Sequence, residues 1–190
     1  MSRIFIGFLL SAGLVAAEAD YERARLKIAM IEEDRAAPGS RIWLTMQELN
    51  AYARREAAEA VPQGLRNPKL ELGPGQATGS ALVDFLKIRE LKGPPPNVLV
   101  AWFLSGEKPI RATARIQSAQ GQATVYVQQV TISGISARGA VLDFLIEHFL
   151  LPFYPDAKIG RPFQLKHNVD RLEIGSAGVT VIIAGKPPAR

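Results

Sequence analysis

The residues able to carry chemistry are few. His148 and His167 are the only histidines in the 190-residue chain, and cysteine is absent. Zinc sites draw on three or four protein ligands, usually His or Cys. Glu147-His148 would need carboxylates to complete such a set, so a helix-surface or capping histidine is the expectation and no metal is expected. Asp84 and Asp143 are candidate acid and base groups, but nothing in their surroundings distinguishes them from ordinary strand or helix carboxylates. G-x-S-x-G, S-x-x-K and H-E-x-x-H are all missing. Gly185-Lys186 is followed by Pro187, which removes a backbone donor that a phosphate-cradling loop would use. No catalytic residue and no cofactor is expected on these grounds.

The apolar residues say more. Ala77, Gly79, Ala81, Val83 and Phe85 alternate along one face of a strand pattern, and four of these five are small enough to let something bulky lie against them. Trp102, Phe103, Phe144, Leu145, Phe149, Phe153 and Tyr154 fall in or beside the segments expected to meet that face. Such residues either pack on one another as core or line an apolar pocket, since pockets are walled in the same way. The candidate lipid-binding set is therefore Gly79, Ala81, Phe85, Trp102, Phe103, Phe144, Leu145, Phe149, Phe153 and Tyr154.

The elements that would position them follow from period and punctuation. A charged, Ala-rich helix is expected over 20–36, stopping before Pro38-Gly39. Ser40 to Thr45 alternates as a short strand. Thr45-Met46-Gln47-Glu48 is a capping box opening a second helix that runs to about Ala60. Lys69 to Leu72 and Gln76 to Phe85 flank Gly73-Pro74-Gly75 as a hairpin. Val98 to Leu104 reads equally as strand or short helix. Pro109 to Ser118 alternates cleanly and turns at Ala119-Gln120-Gly121 into Gln122 to Ile132. The apolar parity of that last strand changes at Gln128-Gln129, which predicts a bulge. Arg138 to Leu151 is apolar nearly all round, with Asp143, Glu147 and His148 as its polar strip, and reads as a buried helix. Val169–Ile174 and Val179–Ala184 form a closing hairpin, and 186–190 a frayed tail. The expected fold is α+β: a curved antiparallel sheet wrapped around a long hydrophobic helix, with N-terminal helices.

The N-terminus carries an address. Arg3, the uncharged run Ile4–Val15 and Ala16-Ala17-Glu18-Ala19 match the three regions of a secretory signal peptide, with cleavage expected after Ala19 or Ala17. Ile4–Val15 is short of the ~20 apolar residues of a membrane span, so an uncleaved anchor is the weaker alternative. Residues 20–185 have the length of one domain. An exported chain without cysteine must rely on its packed core, and a hydrophobic content of 47% allows one. The net charge of +5 is spread along the chain. Ordinary solubility explains such a spread, while an anionic headgroup or envelope polymer suits an exported protein better than nucleic acid does.

The order of elements resembles a known family. Leu44-Thr45-Met46-Gln47-Glu48-Leu49-Asn50 precedes small-residue hairpins, followed by Val130 to Ile135 (V-x-I-S-G-I), an apolar helix, Pro162-Phe163-Gln164-Leu165, and a final strand pair over Ile174 to Val181. This pattern, over about Arg41 to Ala184, resembles the LmeA-like exported phospholipid-binding proteins and, more loosely, the tubular lipid-binding proteins. It departs at Ser136-Ala137-Arg138, where that family often has a small residue or proline. The resemblance implies a sheet wrapped on a helix around a greasy groove, with no catalytic motif to carry over.

The expected function is that of a periplasmic lipid-binding protein. Its acyl chain would lie between the 138–151 helix and the Gly79/Ala81 face, with a basic residue at the mouth for the phosphate and peripheral contact with the membrane. An envelope assembly or scaffold protein, using an apolar face for a protein partner, is the alternative. A hydrolase of envelope material using Asp84 or Glu147 is the third reading.

Overall fold

The computed structural model describes residues 4–60, 64–85, 87, 105–139, 142–143, 146–147 and 159–185. Helix α1 spans Ile4–Glu32 and α2 spans Met46–Ala60. The strands are β1 (Arg41–Thr45), β2 (Leu65–Gly73), β3 (Gln76–Val83), β4 (Lys108–Ala119), β5 (Gln122–Ile132), β6 (Ile135–Ala137), β7 (Phe163–Gln164), β8 (Val169–Gly175) and β9 (Gly178–Ile183). They form two antiparallel sheets rather than one. Three strands run in the order β1-β9-β8, and a larger sheet runs β2-β3-β4-β5-β6, with β7 pairing with another stretch of β5.

The small sheet carries the main core. Its inner residues Leu44, Val181, Val169 and Ile183 meet Ala24, Ile28 and Ile31 of α1, whose spacing of four and three residues makes one helical stripe. The helix is longer at its start and shorter at its end than the sequence suggests. It crosses Ala19–Asp20 without a break, and it stops at Glu32 rather than Ala36. The stop is a Schellman turn: the Asp34 N–H bonds the Ile31 carbonyl and the Arg35 N–H bonds the Met30 carbonyl, both at 3.0 Å. Asp34 takes the left-handed conformation this requires, with φ 53°, and its carboxylate accepts a bond from Asn168 Nδ2 at 3.1 Å. Among the described residues no helix is long and apolar enough to cross a membrane.

The capping box forms as the sequence requires. The Glu48 N–H bonds Thr45 Oγ1 at 3.1 Å, and the Thr45 N–H bonds Glu48 Oε2 at 2.9 Å. Glu48 is also where α1 is fastened to α2 and β1. Lys27 Nζ lies 2.8 Å from both Glu48 carboxylate oxygens and 2.7 Å from the Trp43 carbonyl, with Arg23 Nε at 3.3 Å. Next to it Tyr21 stacks on Tyr52, centroids 6.1 Å apart, and Arg55 sits over the Tyr21 ring.

Helix α2 protects the outer edge of the large sheet. β2 is a terminal strand, and a bare edge would invite pairing with another chain. Asn50 closes part of it: its Nδ2 donates to the Leu70 carbonyl at 2.9 Å and its Oδ1 accepts from the Leu70 N–H at 2.7 Å. The side-chain amide thus stands in for a neighbouring strand's peptide. Asn50→Leu is expected to destabilise the protein by about 2 kcal/mol, because it leaves both Leu70 groups unpaired. Chemical denaturation at pH 7 measures this, and a loss under 0.5 kcal/mol would mean that the two bonds contribute little.

The β4–β5 hairpin bears out the predicted bulge. Thr113 opposes Gln129 while Ala114 opposes Val127, so Gln128 is the extra residue. The insertion lets Val127 and Val130 lie on the same face despite their odd separation. At the turn ends of this sheet, β8 is fastened edge-on. Gly75 N–H bonds the Ile174 carbonyl (3.0 Å), Gly121 N–H bonds the Asp170 carbonyl (2.8 Å), and Ser118 Oγ bridges the Leu172 N–H and carbonyl (2.8 and 3.1 Å). The two sheets therefore share a hydrogen-bonded joint.

One further expectation meets a different local structure. Helix was expected from Arg138, but Ala137 closes β6 and Gly139 turns with φ 53°. Its carbonyl accepts the Asp143 N–H, so the helical turn begins beyond Arg138. Leu142 and Ile146 are half-buried, with Asp143 and Glu147 exposed, the polar strip the sequence suggests. The rest of 138–151 and the segment 98–104 lie outside the described residues. Among the described residues the large sheet ends at β2 and β6 without closing, and the wrapping of a long helix by that sheet also lies outside them.

Candidate functional site

Register sorts the large sheet into two chemically distinct faces. Leu70, Gly79, Ala112, Val130 and Ala137 form one cross-strand row. Leu72, Ala77, Ala114 and Val127 form the next, and Ala81, Ile110 and Ile132 the row on the other side. Every one of these residues is apolar. The opposite face holds Lys69, Glu71, Thr78, Arg111, Thr113, Arg115 and Tyr126. Arg111 Nη2 reaches Glu71 at 2.6 Å, spanning β3 from β4 to β2. Beneath that bridge Thr78 is buried and shares a hydroxyl bond of 3.0 Å with Thr113. Lys69 and Arg111 hold the Glu71 carboxyl below its usual range by hydrogen bonding and charge.

The apolar face is closed at one end. Val83, Phe85, Ile132 and Ala137 are buried together, with Leu65, Ala81, Ile110 and Val130 packed against them. Phe85 is 2% exposed, reached through Asp84, whose carboxylate accepts the Lys87 N–H at 3.2 Å and caps the turn. At the other end β8 lies across the hairpin turns. Between these ends the floor consists of small residues: Ala77, Gly79, Ala112 and Ala114 are half-buried, and a Cβ built on Gly79 meets no described atom within 4 Å. Gly178 is the contrast, since a Cβ there would strike the Leu44 carbonyl oxygen and the Trp43 ring. Glycine at 178 is demanded by packing; at 79 no described atom demands it.

Of the residues singled out from the sequence, Gly79, Ala81 and Phe85 share this face, with Phe85 in the closed end. Trp102, Phe103, Phe144, Leu145, Phe149, Phe153 and Tyr154 lie outside the described residues. Leu70, Ala112, Ala114, Val127 and Val130 belong to the same surface but were read only as strand residues. Alternation marked Ala112 and Ala114 as inward-facing. Only the register shows that they lie beside Gly79 and Ala77.

The remaining candidate chemistry is dispersed. His167 is in a left-handed turn, φ 57°, with Nδ1 3.9 Å from Asp34, and His148 is outside the described residues. No cluster of three metal-ligating side chains occurs among the described residues. A separate cleft of about 630 Å3 lies between α1, α2 and β2, lined by Ala16, Ala17, Met46, Asn50, Arg54 and Pro68 among others. Ala16 and Ala17 precede both expected cleavage positions or border one, so processing would strip a wall from it. The fold and this surface define an α+β protein with an open, two-faced antiparallel sheet. Comparison with known proteins finds no family model and no curated protein that matches the chain.

Proposed function

We propose that this chain is an exported lipid-binding protein, non-enzymatic, that holds an acyl chain along the apolar face of the large sheet. The observation carrying this reading is the floor of Ala77, Gly79, Ala112 and Ala114, flanked by Leu70 and Val130, with no described atom within 4 Å of a Cβ built on Gly79. A sheet filled only by its own core would place large side chains at these positions, because close packing leaves few voids. Each methylene buried there contributes about 0.8 kcal/mol, and several give useful affinity without any polar contact. The resemblance to the LmeA-like proteins points the same way.

Export rests on the N-terminal residues, and α1 is compatible with it. Over residues 15–32, where its burial is described, the first buried residue is Ala24, and Val15 is 71% exposed. Among the residues so described, loss of 15–19 takes no buried residue of the core. Asp20 would then head the helix, where its type is favoured.

Native mass spectrometry of the protein purified from its own envelope tests the proposal. Bound lipid masses are expected, and Gly79→Leu should reduce the lipid-bearing fraction at least fivefold while the protein stays folded. An unliganded mass with nothing in the organic extract would refute it. The alternative, an envelope scaffold protein with a protein partner, draws on Leu26 and Met30. They lie one turn apart on the outer face of α1, 59% and 39% exposed. It predicts a co-purifying protein that Leu26→Ser with Met30→Ser releases.

A further inference from the structure

The face of the large sheet turned away from the apolar floor carries a patterned surface of its own. Arg111 stands between Ser80 and Thr131 on the neighbouring strands, and Arg115 between Gln76 and Tyr126. Thr78, Thr113 and Gln129 form the row between them, so hydroxyl and amide side chains separate the two arginines. Tyr126 is 43% exposed and is the one aromatic side chain on this face among the described residues. Arg111, Arg115 and Gln129 are exposed as well.

Charge on this face is uneven. Among its described strand residues, Lys69, Arg111 and Arg115 meet a single carboxylate, Glu71, which lies 2.8 Å from Lys69 and 2.6 Å from Arg111. Three cations against one carboxylate leave an excess of two positive charges. At the margin Arg66 pairs with Glu107 and Lys87 with Asp84, and these cancel. Arg115 has no carboxylate partner among the described residues. Lys69 and Glu71 also line the cleft beside α2, where Arg54 is a second exposed cation without such a partner. Asp20, the acid on the α1 wall of that cleft, is bonded by Arg23. A polar, basic strip thus runs from Arg115 past Arg111 and Lys69 to Arg54.

We infer that this strip binds an acidic polysaccharide. Its charged groups meet Arg115 and Arg54, its hydroxyls bond the Thr, Ser and Gln side chains, and a sugar ring lies on Tyr126. Charge complementarity and reach select that occupant. Arg115 and Lys69 are two strands and four residues apart, roughly 16 Å between Cα atoms at strand spacings of ~4.8 Å and ~3.3 Å per residue. Arg54 lies beyond Lys69, so one small anion cannot serve both ends, whereas a chain with repeated anionic groups can. Single-stranded nucleic acid is also an extended polyanion, but proteins hold it by stacking successive bases on several aromatic side chains, and this face has one. A bilayer would meet hydroxyls and amides between the cations rather than apolar side chains to insert. The inference relies on export for access to such a polymer; it does not use the lipid floor, which is on the opposite face.

Biolayer interferometry of the purified protein on immobilised polygalacturonate tests it, with dextran, polyglutamate and oligothymidylate surfaces alongside. Binding to polygalacturonate and not to dextran is expected, about fivefold or more tighter than to polyglutamate or oligothymidylate, and lost in about 0.5 M salt. Arg115→Gln and Tyr126→Ser should each weaken it about fivefold or more, as truncation of a central Arg or Tyr contact does. Arg35→Gln removes the same charge beyond the end of α1 and should leave binding unchanged. Circular dichroism melts verify that the variants fold, and Arg115→Lys serves if the Gln variant does not. No binding to polygalacturonate, equal binding to polyglutamate or oligothymidylate, folded variants that bind as wild type does, or an equal loss from Arg35→Gln would overturn the inference. Gly79→Leu should leave polygalacturonate binding intact, and Arg115→Gln should leave bound lipid in native spectra. Failure of either reading is therefore seen apart from failure of the other.

Discussion

Gly178→Ala is expected to be among the most damaging single-methyl additions in this protein, costing at least about 3 kcal/mol. The new Cβ would fall on the Leu44 carbonyl oxygen and lie 2.8 and 2.9 Å from two carbons of the Trp43 ring. The ring can rotate away, since Trp43 is 42% exposed. The carbonyl cannot, because Leu44 is held in register opposite Val179 and its side chain is buried in the core. Relief therefore requires β1 and β9 to separate, and with them the site where α1 packs. For a domain of this size the melting temperature should fall by roughly 6–12 °C. Gly79→Ala is the matched control. With no described atom near its added methyl and no unusual backbone, it should be neutral or raise stability by up to about 1 kcal/mol. Equal losses from the two substitutions would show that strand propensity, not contact, governs both.

Glu48→Gln should produce the second large effect and should expose its electrostatic origin. Glu48 is 3% exposed. Burial alone would raise its pKa, but the Lys27 ammonium, the Thr45 N–H and Arg23 outweigh that and hold the carboxyl below its usual range. A carboxylate whose pKa falls on folding adds stability above the unfolded pKa, about 4.5 here. That stability is lost as pH falls through the folded value. Wild-type protein should therefore weaken on acidification below about pH 4.5. The Gln variant, roughly 2–3 kcal/mol less stable at pH 7, should lack that part of the acid dependence. The two curves would converge at low pH. Urea denaturation at pH 7, 5 and 3 measures this. Parallel curves would mean that the loss at neutral pH is one of shape rather than charge.

These two positions differ in how far the sequence revealed them. The capping box was legible because Thr45 and Glu48 act through local geometry: three residues of spacing place hydroxyl and carboxylate against each other's N–H. Its second role was hidden, since Lys27 and Arg23 come from another helix and nothing local links them to Glu48. Gly178 looked like an ordinary turn glycine beside Ser176-Ala177. Its need for hydrogen comes from β1, more than a hundred residues earlier in the chain. The bulge at Gln128 was legible because side-chain parity is a local record of which face each residue takes.

The candidate surface divides along the same line. Gly79, Ala81 and Phe85 were marked by alternation on one strand, while Ala112 and Ala114 were marked on another. That they adjoin is a matter of hydrogen-bond register, which alternation leaves open to any even shift. The division into two sheets was likewise absent from the pattern, because β8 and β9 alternate much as β3 and β4 do. What separates them is pairing: β9 bonds β1 and β8, and among the described residues β8 bonds the large sheet only at the joint through Gly75, Ser118 and Gly121.

By itself, then, the sequence determined where strands and helices occur, which face of each is apolar, the bulge, the cap, and a small-residue stripe whose use was open. Tertiary structure decided the partners: Ala112 beside Gly79, Lys27 on Glu48, Asn50 on the β2 edge and Arg115 beside Tyr126. The physical reason is one of range. Backbone period, capping and turn preference act within a few residues, whereas strand order, close packing and a buried charge's counterion depend on which distant segments chain collapse brings together.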